Sequence, residues 1–142
     1  MAVTITKYTS FKQYVHDGTI NLNSTGKIKL ALVKSTYTPS TAHTVWGDVS
    51  SEEVADGDGY TTGGEALGSL SVDSTRFDAA DVTWSSLTKT FRYGVLYLDD
   101  TVNTIVKPLI AYILFDDTPA DISIGGGDFT VQWSTSGIIT FS

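Results

Sequence analysis

The chain has 142 residues, a formal charge of −7, no cysteine and two histidines. This length is typical of one domain that buries about two-thirds of the surface its unfolded chain exposes. The absence of cysteine excludes disulfides, thiolate catalysis and Cys-ligated zinc or iron–sulfur sites, and the acidic charge disfavours nucleic-acid binding, which requires a basic surface.

The composition favours β structure. The chain contains 15 serines and 21 threonines but only three glutamates, so good helix formers are scarce at the surface. Its residues are 41% hydrophobic and 11% aromatic, which is enough for a packed core. We therefore expect an all-β fold, in one domain over residues 1–142.

The N-terminal residues 1–10 are threonine-rich and weakly apolar, which predicts an edge strand or an extended arm. They lack the basic and apolar stretches of a secretory signal. One short helix is predicted next, with Thr9 or Ser10 as the N-cap and Asp17-Gly18 at its end. Its apolar stripe consists of Phe11, Tyr14 and Val15.

Most of the remaining chain predicts strands separated by turns. The longest apolar run, residues 109–115, is too short to span a bilayer. The strand segments are residues 27–34, 66–72, 81–84, 89–98, 108–115, 129–133 and 137–141. Residues 89–98 are predicted to form the central strand, and Gly125-Gly126-Gly127 a flexible turn. These elements predict a single antiparallel β-sandwich, jelly-roll-like or immunoglobulin-like, with one short N-terminal helix.

Residues 35–48 form a long predicted loop between two strands. Loops of this length inside a compact domain usually serve a function or are packed by their own side chains. Tyr37 and Trp46 are the predicted anchors. As an alternative, Trp46 could belong to an exposed platform that stacks on sugars, since it does not lie in a strand.

Acidic residues raise the possibility of a calcium site. Asp56-Gly57-Asp58-Gly59 resembles part of an EF-hand loop, but the twelfth position from Asp56 is Leu67 and not a carboxylate. A different site could form if the aspartate pairs 99–100 and 116–117 met Asp121 at one end of the sandwich. The alternative is that these carboxylates cap turns, so no metal ligand is assigned.

No motif predicts an enzyme. A nucleophile elbow is absent, and the glycine run lacks the Lys-Ser/Thr of a phosphate-binding loop. His16 and His43 could in principle join a serine and an aspartate, but His16 fits better as a helix C-terminal residue. We assign no catalytic residue and no cofactor.

Several segments together resemble a family of small structural proteins from tailed bacteriophages. They are, in chain order, residues 11–13 with 17–19, 27–33, 35–39, 43–44, 46–50, 53–54, 59–64 with 66–67, 77–84, 92–97, 108–112 and 127–133. The most specific are Tyr60-Thr61-Thr62-Gly63-Gly64 and Phe77-Asp78-Ala79-Ala80-Asp81-Val82-Thr83-Trp84. The resemblance covers nearly the whole chain in the same order.

This resemblance implies a virion component made in the cytoplasm of a host bacterium. We expect a head decoration or cement protein that binds the major capsid protein and copies of itself, as a homo-oligomer without nucleic-acid or membrane contacts. A tail or head–tail connector protein and a glycan-binding β-sandwich module are the alternatives. The candidate interface residues are Val3 and Ile5 in the N-terminal segment and Tyr37 and Trp46 in the long loop.

Overall fold

The computed structural model describes residues 4–116, 118 and 120–140. These residues form an all-β sandwich in which several antiparallel sheets pack together, with one short helix near the N-terminus. The predicted fold class is therefore confirmed. Val3, one of the candidate interface residues, lies outside the described residues.

The strands are short except for one long pair. They are β1 Thr4–Lys7, β2 Ile28–Val33, β3 Glu65–Ala66, β4 Ser71–Val72, β5 Arg76–Asp78, β6 Val82–Phe91, β7 Tyr93–Leu98, β8 Thr101–Val102, β9 Ile105–Val106, β10 Leu109–Leu114, β11 Ile122–Val131 and β12 Ile139–Thr140. The α-helix α1 spans Thr9–His16, and two 3₁₀ helices span Trp46–Asp48 and Ser50–Glu52.

The strands assemble into a five-stranded main sheet and three smaller ones. The main sheet has the order β1-β10-β7-β2-β3, and β11 pairs with β6 in a long two-stranded ribbon. The remaining sheets are β12-β5-β4 and the hairpin β8-β9. All pairings are antiparallel.

The main sheet is buried on both of its faces. On the inner face, Leu30 and Leu96 belong to the large core that also contains Trp84 and Phe129 of the ribbon. On the outer face, alternate residues of the same strands form a second, smaller core. Its buried members are Tyr8, Ala31, Val33, Tyr37, Trp46, Val49, Val95, Tyr97 and Leu109. Burial on both faces explains why β2, β7 and β10 are almost continuously apolar.

Helix α1 matches the prediction except at its beginning. Phe11 is buried, and Gly18 has a φ of +83° just past the helix end. The N-cap residue is Tyr8, however, and no side chain caps the first turn, so the predicted capping by Thr9 or Ser10 is wrong. No helix among the described residues is long and apolar enough to cross a membrane.

The prediction that residues 89–98 form one central strand is wrong. Strand β6 ends at Phe91 and β7 begins at Tyr93, in a different sheet. At the junction, the backbone N–H of Arg92 donates to the Val33 carbonyl, and the side-chain Nε of Arg92 lies 2.9 Å from Asp121 Oδ1. The chain thus passes from one layer of the sandwich to the other at Arg92.

Two further predictions for the strands are wrong. Residues 66–72 contribute to β3 and β4, which lie in different sheets, because Ser69 has a φ of +52° that interrupts an extended strand. The glycine run lies inside β11 and is not a turn between strands. The strand accommodates it by two shifts in pairing with β6, between Gly125 and Gly127 and between Gly127 and Phe129.

Candidate functional site

The described part of the N-terminal segment, residues 4–10, is part of the folded domain. Strand β1 lies at the edge of the main sheet, where Ile5 is half-buried and opposite Ile113 of β10. The next residue after the strand, Tyr8, is completely buried. Thr4 to Tyr8 therefore correspond to the edge-strand alternative and not to a detachable arm.

The long loop covers the outer face of the main sheet. We call residues 35–48 the covering loop. Trp46 is 6% exposed and stacks on Tyr97 of β7, with ring centroids 4.5 Å apart and planes 9° apart. Tyr37 is 4% exposed and meets Tyr93 edge-on. Both rings anchor the loop, so a partner bound there would have to contact its exposed polar residues instead.

Backbone hydrogen bonds reinforce these anchors in the middle and near the end of the covering loop. Trp46 N–H donates to the Lys107 carbonyl, and Leu109 N–H donates to the Thr44 carbonyl. Thr9 N–H donates to the Thr41 carbonyl at the start of α1. The loop is thus tied both to the beginning of β10 and to the N-terminal segment.

A chain of hydrogen bonds runs beneath the covering loop from the buried core to half-buried His43. The hydroxyl oxygens of Tyr8 and Tyr37 are 2.9 Å apart, and the Tyr37 hydroxyl lies 2.9 Å from His43 Nδ1. Burial raises the pKa of both tyrosines above the ordinary value. The two hydroxyls therefore stay protonated and act as hydrogen-bond donors at neutral pH.

Asp48 organises the end of the covering loop. Its Oδ2 accepts hydrogen bonds from the backbone N–H groups of Thr44 and Val45, at 2.9 and 3.3 Å. The Thr44 N–H has the largest effect in holding the pKa of the Asp48 carboxyl below its usual value, and the nearby charge of His43 acts in the same direction. Asp48 is thus an ionised turn cap at neutral pH.

A second set of hydrogen bonds fixes the segment Tyr60-Thr61-Thr62-Gly63-Gly64 against the main sheet. The Tyr60 hydroxyl donates to Glu53 Oε2 at 2.6 Å and accepts from the Leu32 N–H. Gly63 N–H donates to the same Glu53 oxygen, and the Gly63 carbonyl accepts from the Tyr97 hydroxyl. Burial, followed by the hydrogen bond to Glu53, raises the pKa of Tyr60 well above its ordinary value.

The other specific segment of the resemblance, residues 77–84, also serves the fold. Phe77 and Trp84 are buried in the large core. The Ala80 carbonyl accepts from Trp133 Nε1, and Asp81 Oδ1 accepts from the Trp133 backbone N–H. Both segments that characterise the resemblance therefore hold loops and strands together.

Within the residues that the structure describes, the sandwich is open on the side where β1 faces β11. A groove of about 530 Å³ lies between them, lined by apolar side chains such as Ile5, Phe115, Val131 and Trp133. Among the described residues, β1 pairs only with β10 and β11 pairs only with β6. Each of the two strands therefore keeps one edge unpaired within this part of the chain.

Of the aspartates considered for calcium, Asp99, Asp116 and Asp121 are engaged in ion pairs and turns, and Asp117 lies outside the described residues. Asp99 lies 2.9 Å from Lys29 Nζ and 3.5 Å from Lys107 Nζ, and Asp121 pairs with Arg92. Asp116 Oδ1 accepts from the Thr118 N–H. Within residues 4–116, 118 and 120–140, no three His, Cys, Asp or Glu side chains gather as metal ligands.

The two histidines lie in separate surroundings. His16 is the last residue of α1, whereas His43 contacts Tyr37 within the covering loop. The sequence contained no signal for the hydrogen-bond chain of Tyr8, Tyr37 and His43, because Tyr8 and Tyr37 are 29 residues apart and meet only through the fold.

No protein-family model, curated protein or solved structure matches this protein.

Proposed function

We propose that this protein is a structural protein of a tailed-bacteriophage virion, which decorates the outer surface of the head and binds the major capsid protein and copies of itself. The observation that carries the proposal is the groove between β1 and β11, where each strand has one edge that pairs with no other described strand. A free strand edge can bind an extended segment of a neighbouring subunit through main-chain hydrogen bonds.

The two edges restrict where such a segment could add. Strand β1 has four residues and ends in Lys7, and β11 is interrupted by bulges around its glycines. Short edges, lysine and bulges are the features by which β proteins avoid uncontrolled pairing. The regular part of β11, residues 129–131, is the part that borders the groove.

A short edge gives each copy a modest affinity, and repetition compensates for this. Many copies on a symmetric shell convert individually weak contacts into tight overall binding. The formal charge of −7 supports an outer position, because a protein that lines packaged DNA would need basic residues to neutralise phosphates. The resemblance to phage structural proteins supports the same proposal.

Copy number in the virion tests this proposal. Purified virions of a phage that encodes this chain would be quantified by mass spectrometry, with the major capsid and portal proteins as internal standards. We expect a number comparable to that of the major capsid protein. A handful of copies would overturn the decoration role in favour of the connector or tail, and complete absence would overturn the virion role.

A further inference from the structure

The hydrogen-bond chain beneath the covering loop has a defined direction when His43 is neutral and carries its ring hydrogen on Nε2. Its Nδ1 then accepts the hydrogen of the Tyr37 hydroxyl, and the Tyr37 oxygen accepts the hydrogen of the Tyr8 hydroxyl. Every hydroxyl hydrogen in the chain has an acceptor in this arrangement. Tyr8, at the inner end, is completely buried and has Tyr37 as its one hydrogen-bond partner among the described residues.

Protonation of His43 reverses this direction. Both nitrogens of an imidazolium are donors, so Nδ1 would donate to the Tyr37 oxygen. Tyr37 would then have to donate to the Tyr8 oxygen. The Tyr8 hydroxyl hydrogen would have no acceptor among the described residues, in a place without access to solvent. An unsatisfied buried donor is costly, so the protonated state disfavours the closed arrangement.

Among the described titratable groups around the chain, only Tyr37 is hydrogen-bonded to the Tyr8 hydroxyl. The charged group that faces His43 is Asp48, at the end of the covering loop. The Oδ2 of Asp48 already accepts hydrogen bonds from backbone N–H groups of the loop. The other titratable groups are tyrosines: Tyr93 of β7 packs on Tyr37, and Tyr112 of β10 packs edge-on against Tyr8.

We propose that Tyr8, Tyr37 and His43 form an acid-sensitive latch that holds the covering loop on the main sheet. His43 is half-buried and in reach of solvent protons, whereas the two hydroxyls that respond to it lie in the interior. When the latch opens, the covering loop loosens from the outer face of the sheet. The apolar side chains beneath it, among them Val95 and Leu109, then become accessible. This inference does not depend on the proposed function.

Hydrogen exchange of the full-length protein tests the latch. Protection factors, corrected for the intrinsic pH dependence of exchange, would be measured by mass spectrometry for peptides that cover residues 35–48. We expect protection to fall on the order of tenfold between pH 7.5 and pH 5.5, as a lost hydrogen bond of about 1.4 kcal/mol implies. Asp48 stays ionised over this range, because its pKa is held below the ordinary value by the Thr44 N–H.

Two histidine variants assign the effect to His43. In His43→Gln, the amide can accept from Tyr37 at any pH, so the fall in protection should disappear. His16→Gln is the matched control, because it removes the other histidine and should retain the full fall. An unchanged wild-type protection between the two pH values, or an equal fall in His43→Gln, would overturn the proposal.

Tyr37→Phe provides a second test if His43→Gln does not fold. It disconnects His43 from Tyr8, so the protection of the covering loop at pH 7.5 should be lower than in the wild type. The protection of this variant should then change little between pH 7.5 and pH 5.5. A full pH-dependent fall in Tyr37→Phe would show that the proton acts by another route, which would also overturn the latch.

Discussion

At the scale of single residues, Gly64 occupies a position where a side chain would collide with the main sheet. It has a φ of +84°, and a Cβ at this position would overlap the backbone carbonyl of Leu30 in β2. Gly64→Ala should therefore combine a strained backbone with a steric conflict between two backbone segments. We expect the free energy of unfolding to fall by roughly 2–4 kcal/mol, measured by urea denaturation.

The neighbouring glycine separates these two causes. Gly63 has a φ of +98°, but a Cβ there would meet its nearest atom, the Tyr97 hydroxyl, at 3.4 Å. Gly63→Ala should therefore carry only the backbone cost of about 1 kcal/mol. Equal losses in the two variants would contradict the steric explanation. The conformational freedom of both glycines accounts for the pair in Tyr60-Thr61-Thr62-Gly63-Gly64.

At the scale of elements, the sequence predicted correctly those strands whose apolar run stops at the same residues as the strand itself. Strands β2 and β10 are apolar runs bounded by polar or turn residues, and both were located correctly. The change of sheet at Arg92 was missed, because alternation with a period of two continues from β6 through Arg92 into β7. A local pattern contains no information about which neighbour each half of such a run pairs with.

The candidate site shows the same limit. The lack of a strand pattern and the length of the loop predicted that Tyr37 and Trp46 would anchor it, and both rings are buried. Their partners could not be predicted, because Tyr97 and Tyr8 reach them through strand order and register. The sequence therefore identified which side chains anchor the loop, but not the hydrogen-bond chain that these anchors form.

The glycine run in β11 offers a prediction at the same scale. Gly126 has a φ of +89° at the bulge, and a Cβ there would meet no atom within 4 Å. Gly126→Ala should therefore lower stability by about 1 kcal/mol through backbone strain alone. Thermal unfolding followed by circular dichroism would measure the loss.

Gly125 is the matched control for this variant. It lies in the same run and has equally open surroundings, but its φ is not in the positive range. Gly125→Ala should leave stability unchanged or raise it slightly, because alanine loses less conformational entropy than glycine in a strand. A larger loss at Gly125 than at Gly126 would show that the bulge does not require glycine.

At the scale of the whole molecule, the stability of this domain should depend on pH. The pKa values of Asp17, Asp48, Asp73, Asp99 and Asp116 are all lowered from the ordinary value. A carboxyl whose pKa is lower in the folded state stabilises the fold above its ordinary pKa, and the contribution is lost as pH falls. The fold should therefore be more stable at neutral pH than near pH 3.

Asp99 allows this response to be traced to one group. It joins Lys29 of β2 to Lys107, and both Asp99 and Lys29 have side chains that are 27% exposed. Burial opposes its ionisation, but the two lysines outweigh burial, so its pKa is lowered. Asp99→Asn removes both ion pairs. We expect a loss of about 1 kcal/mol at pH 7, since partly exposed pairs contribute little more than this.

The pH dependence distinguishes this cause from a general effect of charge. The difference between wild type and Asp99→Asn should stay constant from pH 7 to about pH 5 and shrink below the ordinary Asp pKa of 3.8. Below that value the carboxyl of the unfolded wild-type chain binds a proton that folding must release, and the difference is lost as pH falls through the lower pKa of the folded state. Urea denaturation between pH 7 and pH 3 would measure this difference in the free energy of unfolding.

Asp100→Asn is the control, because it changes the net charge equally. Asp100 forms no ion pair with a described residue, so no comparable loss is expected. A difference for Asp99→Asn that is as large at pH 3 as at pH 7 would mean that ionisation of Asp99 is not what stabilises this junction.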